Sequence, residues 1–143
     1  MIELFVLQPG DFDRIVEIWK ESGLSHRPKG RDQRERIARE MEGDCSVFLG
    51  ARHDGTIVGV VLGTHDGRKG WINRLAVVPA WRGQGIATKL VREVERRIRA
   101  QGIEIVTCLI EDDNEDSMRF FEALGYVEHR ECIYYSNRLN PDV

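Results

Sequence analysis

"AVVPAWRGQGIATKLVREVE", residues 76 to 95, decides how the chain is read. A short apolar run stops at Pro79, an Arg82-Gly83-Gln84-Gly85 turn follows, and an amphipathic helix opens behind it. That helix has no carboxylate before Glu93. Helix beginnings attract Asp or Glu, because unpaired backbone N–H groups and the helix dipole make that end positive. The other three expected helices follow the habit, with Asp11 and Asp13, then Asp32, then Glu115 and Asp116 at their starts. Only this start is bare, and Arg82 and Lys89 add positive charge beside it. Gly83 and Gly85 permit unusual backbone angles and close approach. Residues 82–88 therefore read as a cradle of N–H donors for an anion from solution, phosphate oxygens above all.

Around this turn the hydrophobic pattern sets out the remaining elements. "IELFVL" predicts a first strand, and "DFDRIVEIWKESG" a helix with Phe12, Ile15, Val16 and Trp19 on one face. "SHRPKGRDQRERIARE" is highly charged and predicts a mobile loop leading into a second short helix around Ile37, Ala38 and Met41. Residues 46–78 give three strands, turned at Asp54-Gly55 and Asp66-Gly67 as an antiparallel meander. The 83–101 helix buries Ile86, Leu90, Val94 and Ile98 and places Glu93–Arg97 and Glu95–Arg99 as ion pairs on its outer face. "EIVTCLI" is a strand, "NEDSMRFFEALG" a helix stopped by Gly125, and "YVEHRECIYYSNRL" a final hairpin. The order is β-α-α-β-β-β-α-β-α-β-β, an α/β (α+β mixed-sheet) fold in one domain over 1–143. The crossover through the bare-ended helix forces its two strands parallel. Ligands of such open sheets sit at the carboxyl ends of parallel strands, where residues 82–88 would lie.

The bulk numbers agree with an ordinary soluble domain: 143 residues, 41% hydrophobic, 31% charged and a net charge of −3. That balance gives no general nucleic-acid footprint. No run approaches the roughly 18 apolar residues of a membrane span, and no signal peptide is read at the start, so a cytoplasmic location is expected. Cys45, Cys108 and Cys132 lack CxxC spacing and read as small buried residues in a reducing compartment. His26, His53, His65 and His129 have no ligand spacing and read as surface histidines, so no metal is expected.

Two phosphate motifs compete for the glycine turn. GxxxxGK[ST] is absent. GxGxxG is half present, Gly83 and Gly85 fitting and Thr88 standing where the third glycine belongs, and no second mononucleotide half follows. The segment "LAVVPAWRGQGIATKLV" resembles instead the acyl-CoA loop of the GNAT superfamily of N-acyltransferases. That family's [QR]xxGx[GA] pattern is Arg82-x-x-Gly85-x-Ala87 here, behind Val77-Val78-Pro79. The likeness extends over essentially the whole chain, including the Asn114–Tyr126 element, and "DGRKGWINRLAV" is similar to small single-domain bacterial members.

The resemblance implies a GNAT-like fold with acetyl-CoA as cosubstrate and an amine acceptor. Coenzyme A's pyrophosphate would rest on the backbone of Arg82, Gly83, Gln84, Gly85, Ile86, Ala87 and Thr88. Its pantetheine arm would pair with Leu75, Ala76 and Val77 as an added strand, with Asn114 and Phe121 on the cofactor side. It further implies direct attack of an amine on the thioester. Many relatives carry a general-acid tyrosine where this chain has Phe121, and some a glutamate where it has Leu109. Asp112, just past the fifth strand, and Asp66, ahead of "WINRLAV", are the candidate bases, and Tyr126, Tyr134 or Tyr135 could supply a proton. The first two helices and their charged loop would roof the acceptor site. Protein lysines or N-termini, polyamines or aminoglycosides, and amino acids all stay open as acceptors. The exposed C-terminal strands are compatible with a homodimer. Phe121 and Leu109 also leave open a non-catalytic acyl-CoA-binding module of the same fold.

Overall fold

The computed structural model describes residues 1–143. Strands β1 (Glu3–Val6), β2 (Ser46–His53), β3 (Thr56–His65), β4 (Lys69–Val77) and β5 (Ile105–Cys108) lie in chain order in a single sheet. The first four are antiparallel to their neighbours, and β4 and β5 are parallel. The β2–β3 hairpin closes where sequence demands it: Asp54 and Gly55 both take positive φ, 48° and 80°, as a two-residue hairpin turn requires.

Helices α1 (Phe12–Glu21) and α2 (Arg34–Glu42) cover one face of the sheet, α3 (Ile86–Ala100) and α4 (Glu115–Ala123) the other. Each face has its own core. Trp19, Ile15 and Ile18 of α1 pack on Phe48, Ile57, Val60, Leu62 and Ala76. On the opposite side Ile86, Leu90, Val91, Val94 and Ile98 of α3 meet Val47, Leu49, Val58, Val61 and Ile72. A buried aliphatic side chain of this kind stabilises by about 1.5–3 kcal/mol, so α3 is held chiefly by its apolar stripe. It also lies close to the sheet. A Cβ on Gly63 would stand 2.6 Å from Val94 Cγ1, and one on Gly70 2.9 Å from Ile98 Cγ2.

Four expectations change. The "YVEHRECIYYSNRL" segment forms no hairpin, so the last two strands of the expected order are absent. Val127, Ile133, Tyr134, Tyr135 and Leu139 stay exposed, and the outer edge of β5 has no neighbour. Glu95 is not on the outer face of α3; it is buried at 3% exposure, accepting from Tyr126 Oη at 2.7 Å and Arg92 Nη1 at 2.9 Å. Asp32 does not open α2, whose flanking residue is Gln33; it turns inward and is buried. Cys45 and Cys132 are exposed, and only Cys108 is half-buried, its thiol pushed up to about 11 by that burial.

Candidate functional site

The bare helix start keeps its character in three dimensions. A short 3-10 turn (Pro79–Trp81) leaves β4, Gly83 and Gly85 take φ of 78° and 79°, and α3 begins at Ile86. No side chain caps the helix and no acid occupies its first turn. The amides of Gly83, Gln84, Gly85, Ile86, Ala87 and Thr88 donate to no acceptor in the protein; the next, Lys89, reaches Gly85 O at 3.1 Å. Consecutive free amides at the positive end of a 15-residue helix make a seat for phosphate oxygens. A Cβ added to Gly83 or Gly85 would meet nothing within 4 Å, so the seat is open above both glycines. The residues present therefore fit a pyrophosphate.

Arg82 has a part that its motif position did not reveal. Its Nε donates to Val77 O at 3.0 Å and its Nη2 reaches Ser22 Oγ at 3.5 Å. The side chain thus pins the loop to the end of β4 and to the end of α1.

Beside the loop the sheet opens. β4 and β5 are paired only from Lys69–Ile105 to Ile72–Cys108, so beyond Ile72 the two strands part and leave a fork. A bulge produces the divergence on β4: Val60 pairs with Ala76 and Leu62 with Asn73, so Val61 alone opposes Arg74 and Leu75. Arg74 there adopts φ 52°. Bulges bend the strand and re-aim its side chains, and they recur beside active sites. Val78 donates to Val58 O on β3 at 2.8 Å. Since successive amides of an extended strand face opposite edges, the Val77 N–H faces the fork.

The expected site residues divide by position. Leu75, Ala76 and Val77 line the fork, and residues 82–88 stand at its mouth. Asp112 lies in the turn after β5, at the same end of the sheet. Asp66 is at the other end of β4, where its Oδ1 accepts from the amides of Arg68 and Lys69, each at 2.8 Å. Those bonds hold its carboxyl below the ordinary range. It closes the turn ahead of Lys69, at the end of β4 opposite the one where residues 82–88 stand. Asn114 caps α4, its Oδ1 accepting from Ser117 N at 3.1 Å. Phe121 is buried in the α3-side core, edge-on to Phe120 and Tyr126. Tyr126 donates its hydroxyl to Glu95, while Tyr134 and Tyr135 stand exposed in the tail. No group of three or more His, Cys, Asp or Glu is arranged to hold a metal ion, and no helix is long and apolar enough to cross a membrane. A concavity of about 320 Å³ lies between the β1–β2 edge and the end of α3 and shares no residue with the loop or fork. An extended ligand in an open groove is better matched by free amides than by cavity volume.

A second cluster escaped sequence reasoning. Arg74 Nη2 donates to Asp32 Oδ2 at 2.8 Å, and its guanidinium lies over the Trp19 ring, 4.8 Å from the centroid. Asp32 Oδ2 also accepts from the Arg27 amide at 2.5 Å, closing the loop between α1 and α2. One signal was readable: an arginine within the mostly apolar "WINRLAVV".

The sequence profile described as the acetyltransferase (GNAT) family matches residues 12–126. Among solved structures, the PaiA N-acetyltransferase of Thermoplasma acidophilum in complex with coenzyme A is 21% identical, with TM-score 0.77 over 87% of this chain and 88% of that one. The aminoglycoside N-acetyltransferase AAC(6')-Iy, in complex with a bisubstrate analogue, is 18% identical with TM-score 0.80, covering 96% and 99%. A ribosomal-protein-alanine N-acetyltransferase of Brucella melitensis biovar Abortus 2308 is 18% identical with TM-score 0.72, covering 98% and 100%. At such identities the likeness speaks to the fold; of the three, one is named for an aminoglycoside and one for a ribosomal-protein alanine.

Proposed function

The chain belongs to the GNAT acetyltransferase family, and from that premise we infer that it is an N-acetyltransferase moving an acetyl group from acetyl-CoA to a primary amine. The observation that carries this reading is the run of amides from Gly83 to Thr88 without acceptors, at the mouth of a fork between parallel strands.

When bound, acetyl-CoA supplies an activated thioester carbonyl and a thiol leaving group. The amides of Gly83 to Thr88 hold its pyrophosphate, where a first-turn carboxylate would otherwise sit; the Arg82 amide, expected among them, donates to Pro79 O at 3.3 Å instead. Arg82 keeps that loop in register with β4 through Val77 O. The free edge at Leu75, Ala76 and Val77 accepts the pantetheine arm as an added strand. The Val77 N–H, facing the fork, is the donor placed to stabilise negative charge developing on the carbonyl oxygen. Asn114 and Phe121 support the far wall of the fork, one by capping α4 and the other by packing beneath it.

The acceptor must shed a proton before it attacks. A lysine-type amine with pKa about 10.4 is neutral in only about one molecule in a few thousand at pH 7. Asp112, exposed at the fork end of the sheet, is the carboxylate proposed to accept that proton, directly or through water. A dedicated acid is dispensable, because an alkyl thiol of pKa about 8.5 is a tolerable leaving group. With Phe121 buried and Tyr126 committed to Glu95, solvent is the proposed proton source.

The test is incubation with acetyl-CoA and a panel of amines while free thiol is followed. Amine-dependent thiol release is expected. Acetyl-CoA binding without turnover across a broad panel would favour the second reading, a non-catalytic acyl-CoA-binding module, for which the apolar Phe121 and Leu109 speak.

A further inference from the structure

Arg74 is an unfinished contact. One guanidinium arm is tied to Asp32 and the plane is held against Trp19, yet Nη1 is buried and bonded to nothing. The side chain as a whole is only 15% exposed. An enclosed donor on a charged group without an acceptor costs more than an ordinary lost hydrogen bond. The backbone beneath it is strained as well, since a non-glycine residue at φ 52° is unfavourable and persists where its surroundings enforce it. This expense falls one residue before Leu75, on the face roofed by α1, α2 and their loop. That loop, residues 23–33, carries Arg27, Lys29 and Arg31 against one acid, Asp32, already spent on Arg74. The other nearby carboxyl, Glu40, is pushed above its ordinary range by burial and by Asp32, which disfavours its charge.

Building on the acetyltransferase reading, we propose that Arg74 is the carboxylate receptor of the acceptor site. The amine this enzyme takes is then a small molecule carrying a carboxylate close to its amino group, of the α-amino-acid type. Guanidinium and carboxylate match in shape and charge, and a half-satisfied guanidinium presents the fork that a second carboxylate completes. Because Nη1 is buried, the acid enters as the cover over Arg74 yields and is then enclosed in a dry site where such a bond is strong. A polycationic acceptor such as an aminoglycoside meets Arg74 and the basic loop as like charges.

The experiment compares kcat/KM for glycine, alanine, phenylalanine and glutamate with that for their α-carboxamides, with spermidine as a cationic control. The amide's amine is the less basic and so the more available nucleophile, and a bias toward the acid must come from the site. The wild type should prefer acids over amides by about tenfold or more, roughly the discrimination of one charge-assisted bond. Arg74→Gln should bring the ratio close to one, mainly through KM, whereas Asp32→Asn, which cuts the latch and leaves the guanidinium, should preserve it. Loss of fold lowers both members of a pair equally and leaves the ratio unmoved. A wild-type ratio near one, or a ratio unchanged in Arg74→Gln, would overturn the proposal. Calorimetric titration with N-acetylglutamate and its α-amide gives a readout without turnover. Binding of the acid that vanishes in Arg74→Gln supports the receptor even if no acetyl transfer is found, and no binding of the acid overturns it. Failure to bind acetyl-CoA sinks the acetyltransferase reading independently.

Discussion

At Gly85 the backbone turns through φ 79°, with no atom within 4 Å of where a Cβ would stand. Gly85→Glu therefore meets no steric block in the free protein and carries only the strain of a left-handed non-glycine residue, about 1–2 kcal/mol. Its carboxylate, however, falls beside the free amides and competes for them. Coenzyme A affinity should drop at least ~10-fold, about 1.4 kcal/mol, while the folded variant keeps its far-ultraviolet spectrum. Unchanged affinity measured by calorimetry would falsify the loop assignment. Asp112 permits an equally local test. Removing a general base typically costs ~10²–10⁴-fold, so Asp112→Asn should lower kcat and erase the acidic limb of its pH profile; a variant with the wild-type profile places the base elsewhere.

Among elements, α3 is the one on which the proposed site depends, since its first turn is the proposed seat and its apolar stripe fixes where that turn stands. Gly63→Ala puts a methyl group 2.6 Å from Val94 Cγ1 and 2.9 Å from Val47 O. Overpacking of this kind costs about 1–3 kcal/mol. The variant should melt several degrees lower and bind coenzyme A more weakly, although residue 63 touches no part of the loop. A melting temperature equal to the wild type would mean that the helix is free to lift. The end of α4 is joined to α3 by Tyr126 and Arg92, which meet at the buried Glu95. Burial first, then the bond to Glu95, raises the Tyr126 phenol above its ordinary value of about 10. A raised pKa means that the contribution is complete below pH about 10 and is lost as pH climbs through the folded-state value. Tyr126→Phe should be less stable than the wild type at neutral pH, by about 1–3 kcal/mol for the donor lost to Glu95. The gap should narrow above pH 10, as denaturant titrations at both pH values would report.

The same elements show what a linear sequence discloses. Helix and strand periodicity located every element of the sheet through α4, because burying one face imposes a period that any reader can count. The loop was legible for a related reason: a missing acid and two glycines are local facts. Asp32, Glu95 and Arg74 were not, since each is a charged residue buried by a partner 31 to 42 positions away, and pairing over such distances leaves no periodic trace. The tail failed in the opposite sense. "YVEHRECIYYSNRL" has strand-forming residues, but a strand needs a neighbour, and in this structure it finds none.

Taken whole, the molecule divides its labour between the two faces of one sheet. The α3–α4 face presents the proposed phosphate seat, the α1–α2 face presents Arg74 and its basic loop, and the fork between β4 and β5 lies between them. The net charge of −3 conceals this arrangement, because the proposed anion-binding parts rest on backbone amides and a few guanidinium groups. Amides that lack a bond partner exchange their hydrogen for deuterium almost as fast as a peptide in water, while those of a helix interior do not. Residues 83–88 should thus label within seconds in the free protein, ahead of the rest of α3. Adding coenzyme A should slow them together, and adding dephosphorylated pantetheine, which lacks the pyrophosphate, should leave them fast. The helix start thereby carries its own isotopic signature of occupancy, readable by mass spectrometry before any acceptor is known.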